Sequence, residues 1–477
     1  PILPFNFLPL NGYAFFAQRL MSILLIFVSA FLVHKISRSF FSGKISLGIS
    51  LFFLTTYSYG QPSILWPSIP AQTSLLILTY SILRFFQNDK QKYLLIASIS
   101  SVMIIGSRIQ IGIAAVFATF ILLQISKVKK SSWIYVVYVS TLLLAYALLL
   151  STRGYLKFAF FDSLVFPFEY LDRSQSNWTL PRTSITTAAI FYSLLVLLLK
   201  FGKNKKFIKA IAFSNISFAL VLLYAFYSDL QFFYFLFSRI YVAIILFFIS
   251  LLLFYLFKTL REKMILTLQE RALFMYGLVG SIQLFPLFDA FHGWYASAPL
   301  ITTFPLILKT IKFFQNLTRS KVDKFLFLNL SLLVIFFSLQ TFNAYLSDSQ
   351  PFSFEQVKGV RLSESQLEDF RKEFAFYHSN IPQGSKVLNL CPNADPFFER
   401  AYFTSASRYL VFWPSFDRAE FLNDAILNSD YITSCVQVDR LNSNSARLLK
   451  TNFNLMSKGS ELQSWGTSWE IYQRNEK

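Results

Sequence analysis

Long apolar runs punctuated by short basic ones constrain this chain more than any other feature. "MSILLIFVSAFLV" (residues 21–33), "FALVLLYAF" (218–226), "YVAIILFFISLLLFYLF" (241–257) and "FLFLNLSLLVIFFSL" (325–339) recur along the first three quarters of the sequence. With their flanks, several approach the roughly 20 apolar residues that carry a helix across a bilayer. Backbone polar groups in lipid must be satisfied internally, so only helices or a closed barrel can span. The runs are long and lack ten-residue alternation, which favours a helix bundle over a barrel. Only 14% of the 477 residues are charged, against about 25% in soluble domains.

The formal charge of +19 could suggest a nucleic-acid partner, but its distribution argues against one. Basic residues concentrate in short loops between apolar runs: 34–44, 84–92, 127–130, 200–209, 258–263 and 309–324. Between them fall weakly charged or mixed loops at 57–72, 106–112, 151–184, 227–231 and 284–299. Lys and Arg mark cytoplasmic loops, so the alternation predicts about twelve transmembrane helices over residues 1–346 in the plasma (inner) membrane. It places residues 347–477 outside the cytoplasm. It also puts Pro1 outside, which predicts a helix and an outer loop upstream of Pro1.

Residues 347–477 differ in kind. "SFEQVKGVRLSESQLEDFRKEFAFY" has helical spacing after a short strand, and "SESQ" resembles a capping box. "SKVLNL" and "DYITSCVQV" read as buried strands, with an amphipathic helix in "DRAEFLNDAILNSD" between them. A small extracytoplasmic α/β domain is the expectation. The two cysteines, Cys391 and Cys435, fall within it; a disulfide is permitted outside the cytosol, and two free thiols fit equally. No metal-ligand spacing is present.

Four stretches carry a resemblance: "AQRLMSILLIFVSAFLVHKISRSFFSGKISLGISLFFLT", "IIGSRIQIGIAA", "DAFHGWYASAPL" and "SKVLNLCPNADPFFERAYFTSASRYLVFWP". In hydropathy and spacing they resemble the GT-C membrane glycosyltransferases that use polyprenyl-phosphate sugars, the family 39-like and dolichyl-phosphate-mannose mannosyltransferase-like proteins. The resemblance implies transfer of a sugar from a polyprenyl-phosphate donor to a glycan, lipid or protein acceptor, with no nucleotide sugar. It also implies an acidic catalytic base in the first outer loop. No Asp or Glu precedes Arg19, so that base is expected upstream of Pro1. Two other readings are a polysaccharide polymerase or O-antigen ligase-like enzyme, and a secondary transporter. Neither duplicated halves nor paired Gly/Pro-interrupted helices support the transporter.

A polyprenyl phosphate is best held by Arg or Lys through charge-assisted hydrogen bonds. Arg108 is the leading candidate, because it lies in an outer turn against the positive-inside bias. Arg239 sits two turns inside an apolar run, and Arg153 and Lys157 belong to a segment with the pattern of an interfacial helix. Glu169 and Asp172 are secondary candidates for the base. His292 and Asp289, in "LFPLFDAFHGWYASAP", are expected in an outer loop between helices ending at Pro286 and resuming near Pro299. There His292 would meet a phosphate or acceptor hydroxyl, beside an interfacial Trp294 and Tyr295. The sequon at Asn177 also falls on an outer loop.

Overall fold

The structure, a computed structural model, describes residues 12–56, 67–126, 129–160, 266–284, 290–303, 350–351, 361–362, 364–390, 403–406, 419–434, 441, 443–461 and 468–475. Isolated helical positions add to these at 245–253 and 327–338. Two units emerge, one holding Arg19–Leu171 and Gln175–Phe342, the other Asn343–Lys477 together with Ile2–Gln18 and Asp172–Ser174, so that the first helix, Gly12–Arg38, belongs to the first unit from Arg19 on.

In the first unit the described chain is helical: α1 (Gly12–Arg38), α2 (Gly43–Thr55), α3 (Ser68–Asn88), α4 (Gln91–Ser107), α5 (Ile109–Ile125), α6 (Lys129–Thr152), α7 (Leu156–Phe160), α8 (Leu268–Ser281) and α9 (Ala290–Thr302). A 3₁₀ turn, Ile282–Leu284, continues α8. Among the described residues three helices are long and apolar enough to cross a membrane, in Arg19–Arg38, Ser68–Asn88 and Lys130–Thr152. The apolar helices α2, α4 and α5 are shorter. Most of the remaining expected spans lie outside the described residues.

Local chemistry sets the helix ends. Asp89 stops α3 in the left-handed region (φ 49°) and donates its N–H to Phe85 O, a conformation short polar side chains tolerate. Thr267 and Glu270 form a reciprocal capping box at the start of α8. Buried hydroxyls join the helices where apolar contact alone gives no preference over lipid. Ser29 Oγ meets Thr73 Oγ1 at 2.8 Å, Ser50 Oγ donates to Ala30 O at 2.7 Å, Ser101 Oγ meets Tyr135 at 2.6 Å, and Thr119 Oγ1 meets Tyr276 at 2.8 Å.

The stretch expected as an outer loop before Pro299 is instead helical. α9 starts at Ala290, includes His292, and runs through Pro299 to Thr302. Trp294 and Tyr295 are buried, not interfacial; the Trp294 ring stacks on Phe53 of α2 with centroids 5.2 Å apart. Proline ends a helix chiefly by removing an N–H from the ladder and crowding the carbonyl four residues back. Here that carbonyl, Tyr295 O, accepts from Gln72 Nε2 of α3 at 2.9 Å. Gln72 also donates to Trp294 O at 3.1 Å. One side chain from another helix therefore supplies what Pro299 removes, which a reading of this stretch alone could not include. Replacing Gln72 by Leu removes the side-chain donor to Tyr295 O in a buried place, while Trp294 O keeps the Ser297 hydroxyl at 2.6 Å. We expect a loss of about 1–3 kcal/mol in stability, read as a lower thermal midpoint of the purified protein; an unchanged midpoint would remove Gln72 from this role.

The second unit is a five-stranded mixed sheet in the order β4-β3-β5-β7-β6, from β3 (Lys386–Asn389), β4 (Thr404–Ser405), β5 (Tyr431–Ser434), β6 (Phe453–Glu461) and β7 (Ser468–Arg474). β3 runs parallel to β4 and β5, while β7 is antiparallel to β5 and β6. A separate two-residue pair joins β1 (Gln350–Pro351) and β2 (Arg361–Leu362). Helices α10 (Glu364–Asn380), α11 (Ala419–Asn428) and α12 (Ser443–Asn452) cover the sheet. Successive β3 residues point to opposite faces. Val387 packs with Tyr377, Ile381 and Ile471, whereas Leu388 packs with Leu422, Ile426, Ile432 and Leu449. Arg474 closes the end of α11, its guanidinium donating to Ser429 O at 2.8 Å, to Ile426 O at 3.2 Å and to Leu427 O, where the helix dipole favours a cation. Cys391 and Cys435 lie outside the described residues.

His378, in the last turn of α10, stands 5.9 Å from the Phe403 ring, and burial lowers its pKa from the usual 6.5. The unfolded chain therefore takes up this proton at a higher pH than the folded one. Stability is full above about pH 6.5 and declines as pH falls through that value towards the lower folded pKa. We expect amide exchange at β3 to speed up between pH 7.5 and 5.5 after correction for intrinsic rates, and His378→Gln to flatten the slope; an equal slope in the variant would contradict this.

Candidate functional site

One end of the first unit gathers the sequence candidates. α3 and α4 pack along their length as a hairpin joined by Asp89 and Lys90, so the end of α4 lies beside the start of α3. A single residue, Arg108, separates α4 from α5. Its backbone is extended (φ −147°, ψ 98°); its N–H donates to Ile104 O at 2.6 Å, and its carbonyl accepts from Gly112 N at 3.0 Å. The reversal is tight because Gly112 has no side chain: a Cβ there would lie 2.4 Å from Ile105 Cγ1 and 2.6 Å from the Ile105 Cα and N. The guanidinium-bearing residue itself is half-buried.

α6 reaches the same end. A Cβ on Gly106 would lie 3.3 Å from the Tyr146 hydroxyl, and two turns beyond Tyr146 the helix stops at Thr152. Arg153 follows, then Lys157 in α7, both exposed. Three of the cations singled out in the sequence thus share one end of the bundle.

α8 and α9 bring a polar layer to this end that the sequence reading missed. A Cβ on Gly277 would lie 2.3 Å from Thr303 Cγ2, and one on Gly280 would lie 2.6 Å from Pro299 Cβ and 3.6 Å from Leu75 Cδ2. These contacts run α8 antiparallel to α9 and α3 parallel to α9. A turn further along α8, Gln283 stands level with Ala296, within about 3 Å along the axis of the Trp294 and Tyr295 carbonyls that hold Gln72. α5 packs on α8 and on the 3₁₀ turn. From the Thr119–Tyr276 bond, Gln283 falls level with Gly112, leaving Arg108 about 6 Å further out along α5.

Gln72, Gln283 and Trp294 are fully buried. Among the described residues, Gln72 Oε1, both Gln283 side-chain polar atoms and Trp294 Nε1 have no hydrogen-bond partner. Glutamine in "IPAQTSLL" and "SIQLF", beside apolar runs, was the available signal, since an uncharged polar side chain at such a place is costly unless used.

Carboxylates behave differently. Among the described residues of the first unit, the acids are Asp89 and Glu270, which cap the end of α3 and the start of α8. Both therefore sit at the opposite end from Arg108. His292 belongs to the first turn of α9, on the Arg108 side; nothing is described of its side chain. Asp289, Arg239, Glu169, Asp172 and Asn177 lie outside the described residues. Arg19 lies within α1. Among the described residues no group of three or more His, Cys, Asp or Glu could hold a metal ion.

The arrangement offers cations for an anion at the outer rim of this end and neutral donors and acceptors a few ångströms deeper. No protein-family model matches the chain, and no curated protein matches its sequence.

Proposed function

We propose that the chain is a membrane glycosyltransferase moving a sugar from a polyprenyl-phosphate donor to a hydroxyl-bearing acceptor on the extracytoplasmic face. In this reading it is a GT-C-like bundle of about twelve spans, with an extracytoplasmic α/β domain at the C-terminus. The observation that supports it best is the convergence of Arg108, Arg153 and Lys157 at one end of an apolar helical unit. Cations are rare at membrane depth and mark sites for charged groups.

The chemistry follows from those positions. An acceptor oxygen bonds to the anomeric carbon as the carbon–oxygen bond to phosphate breaks. The polyprenyl phosphate leaves with the bonding electron pair, and Arg108, with Arg153 and Lys157, meets the charge that develops on it. The acceptor proton passes to a carboxylate from residues outside the described ones.

The test is release of polyprenyl phosphate from short-chain polyprenyl-phosphate glucose, mannose, galactose and arabinose by the protein in lipid nanodiscs, followed by mass spectrometry with extracted membranes as acceptor source. One of these donors should be consumed, while nucleotide sugars without lipid stay intact. Consumption of a nucleotide sugar, with every lipid donor untouched, would overturn the reading.

A further inference from the structure

The buried amides deep to Arg108 carry more than packing. Gln72 Oε1, Gln283 Nε2 and Oε1, and Trp294 Nε1 are shielded from solvent and unpartnered among the described residues. They come from three helical segments that the glycine contacts and the Gln72 bonds set at one level. Leaving a buried polar group unpaired is costly, and most such groups in folded proteins are satisfied. Three side chains with that deficit at one level point to a ligand that completes them.

Their chemistry defines it. The set presents amide and indole N–H donors together with two carbonyl acceptors, and no charge. A hydroxyl both donates and accepts, so it matches this set; a phosphate offers acceptors alone and is served by Arg108 about 6 Å further out. We propose that Gln72, Gln283 and Trp294 form a subsite for sugar hydroxyls, with the lipid phosphate of the same molecule at Arg108. This assignment rests on the glycosyl-transfer reading.

The experiment measures binding of sugar-free polyprenyl phosphate and of the four polyprenyl-phosphate sugars to the full chain in nanodiscs. Wild type should hold one sugar-bearing lipid at least about tenfold more tightly than the sugar-free lipid. Gln283→Leu should remove most of that increment and leave the sugar-free lipid unaffected. Trp294→Phe keeps the ring on Phe53 and removes one donor; it should cut the increment about fivefold, and it guards against a Gln283 variant that fails to fold. If the sugar-free lipid binds and no sugar adds affinity, or the increment survives both variants, the subsite is wrong while the phosphate reading stands. If none of the lipids binds wild type, the transferase reading falls and the subsite with it. A high-resolution structure of the sugar-lipid complex with only water against the three side chains would likewise overturn the subsite.

Discussion

Replacing Arg108 by Ala should lower the rate of polyprenyl-phosphate release about 100-fold or more without unfolding the protein. The backbone bonds of the α4–α5 junction run through the Arg108 main chain to Ile104 O and from Gly112 N, so they survive the change. On the proposed reading, what is lost is the guanidinium that would meet the charge building on the leaving phosphate. Loss of one such preorganised donor costs about 10²–10³ in turnover elsewhere. Lysine at this position should recover part of the rate, because it keeps the charge and loses the planar fork. Arg153→Ala and Lys157→Ala should act more weakly, since both residues are exposed and water screens their interactions. Wild-type turnover in Arg108→Ala would take this residue out of the site. A large fall in thermal midpoint would make it a structural residue.

The second large effect concerns shape. Gly112→Val should destabilise the first unit by about 3 kcal/mol, at the upper part of the usual overpacking range. The added Cβ would meet the Ile105 side chain at 2.4 Å and its main-chain Cα and N at 2.6 Å. A side chain can rotate aside, whereas the main chain of α4 cannot move without opening the hairpin that presents Arg108. The variant should therefore lose both thermal midpoint and donor turnover. Gly43→Ala is the matched control, because a Cβ there has open space around it, and it should keep both. An unaltered midpoint in Gly112→Val would mean that the junction is not closed as tightly as described.

How far these features could be read from the sequence depended on how local their causes are. The helices of the first unit follow from apolar length, and the break at Arg108 from "IIGSRIQIG". The strands "SKVLNL" and "DYITS" and the helix "AEFLNDAILN" announce themselves by burial period and match β3, β5 and α11. The stretch around His292 was misread because its helix depends on a distant residue. Pro299 suggests a boundary when read with its neighbours, and the donor that supports Tyr295 O lies more than two hundred residues earlier, at Gln72. The same distance hid the polar layer. Gln72 and Gln283 each stand as a single polar residue beside apolar sequence, and what links them appears only when three helical segments bring them to one level with Trp294. The cations were legible because charge in an apolar chain stands out wherever it falls. Their convergence was less so, since it requires knowing that α6 ends beside the α4–α5 junction.

Photo-crosslinking with a polyprenyl phosphate bearing a diazirine next to the phosphate most directly probes where the lipid headgroup sits. Labelled peptides should contain Arg108 and the Arg153–Lys157 stretch, and labelling should fall in Arg108→Ala. Labelling confined to the opposite end, around Lys90 and Arg271, would contradict the assignment of the donor phosphate to the Arg108 end of the bundle.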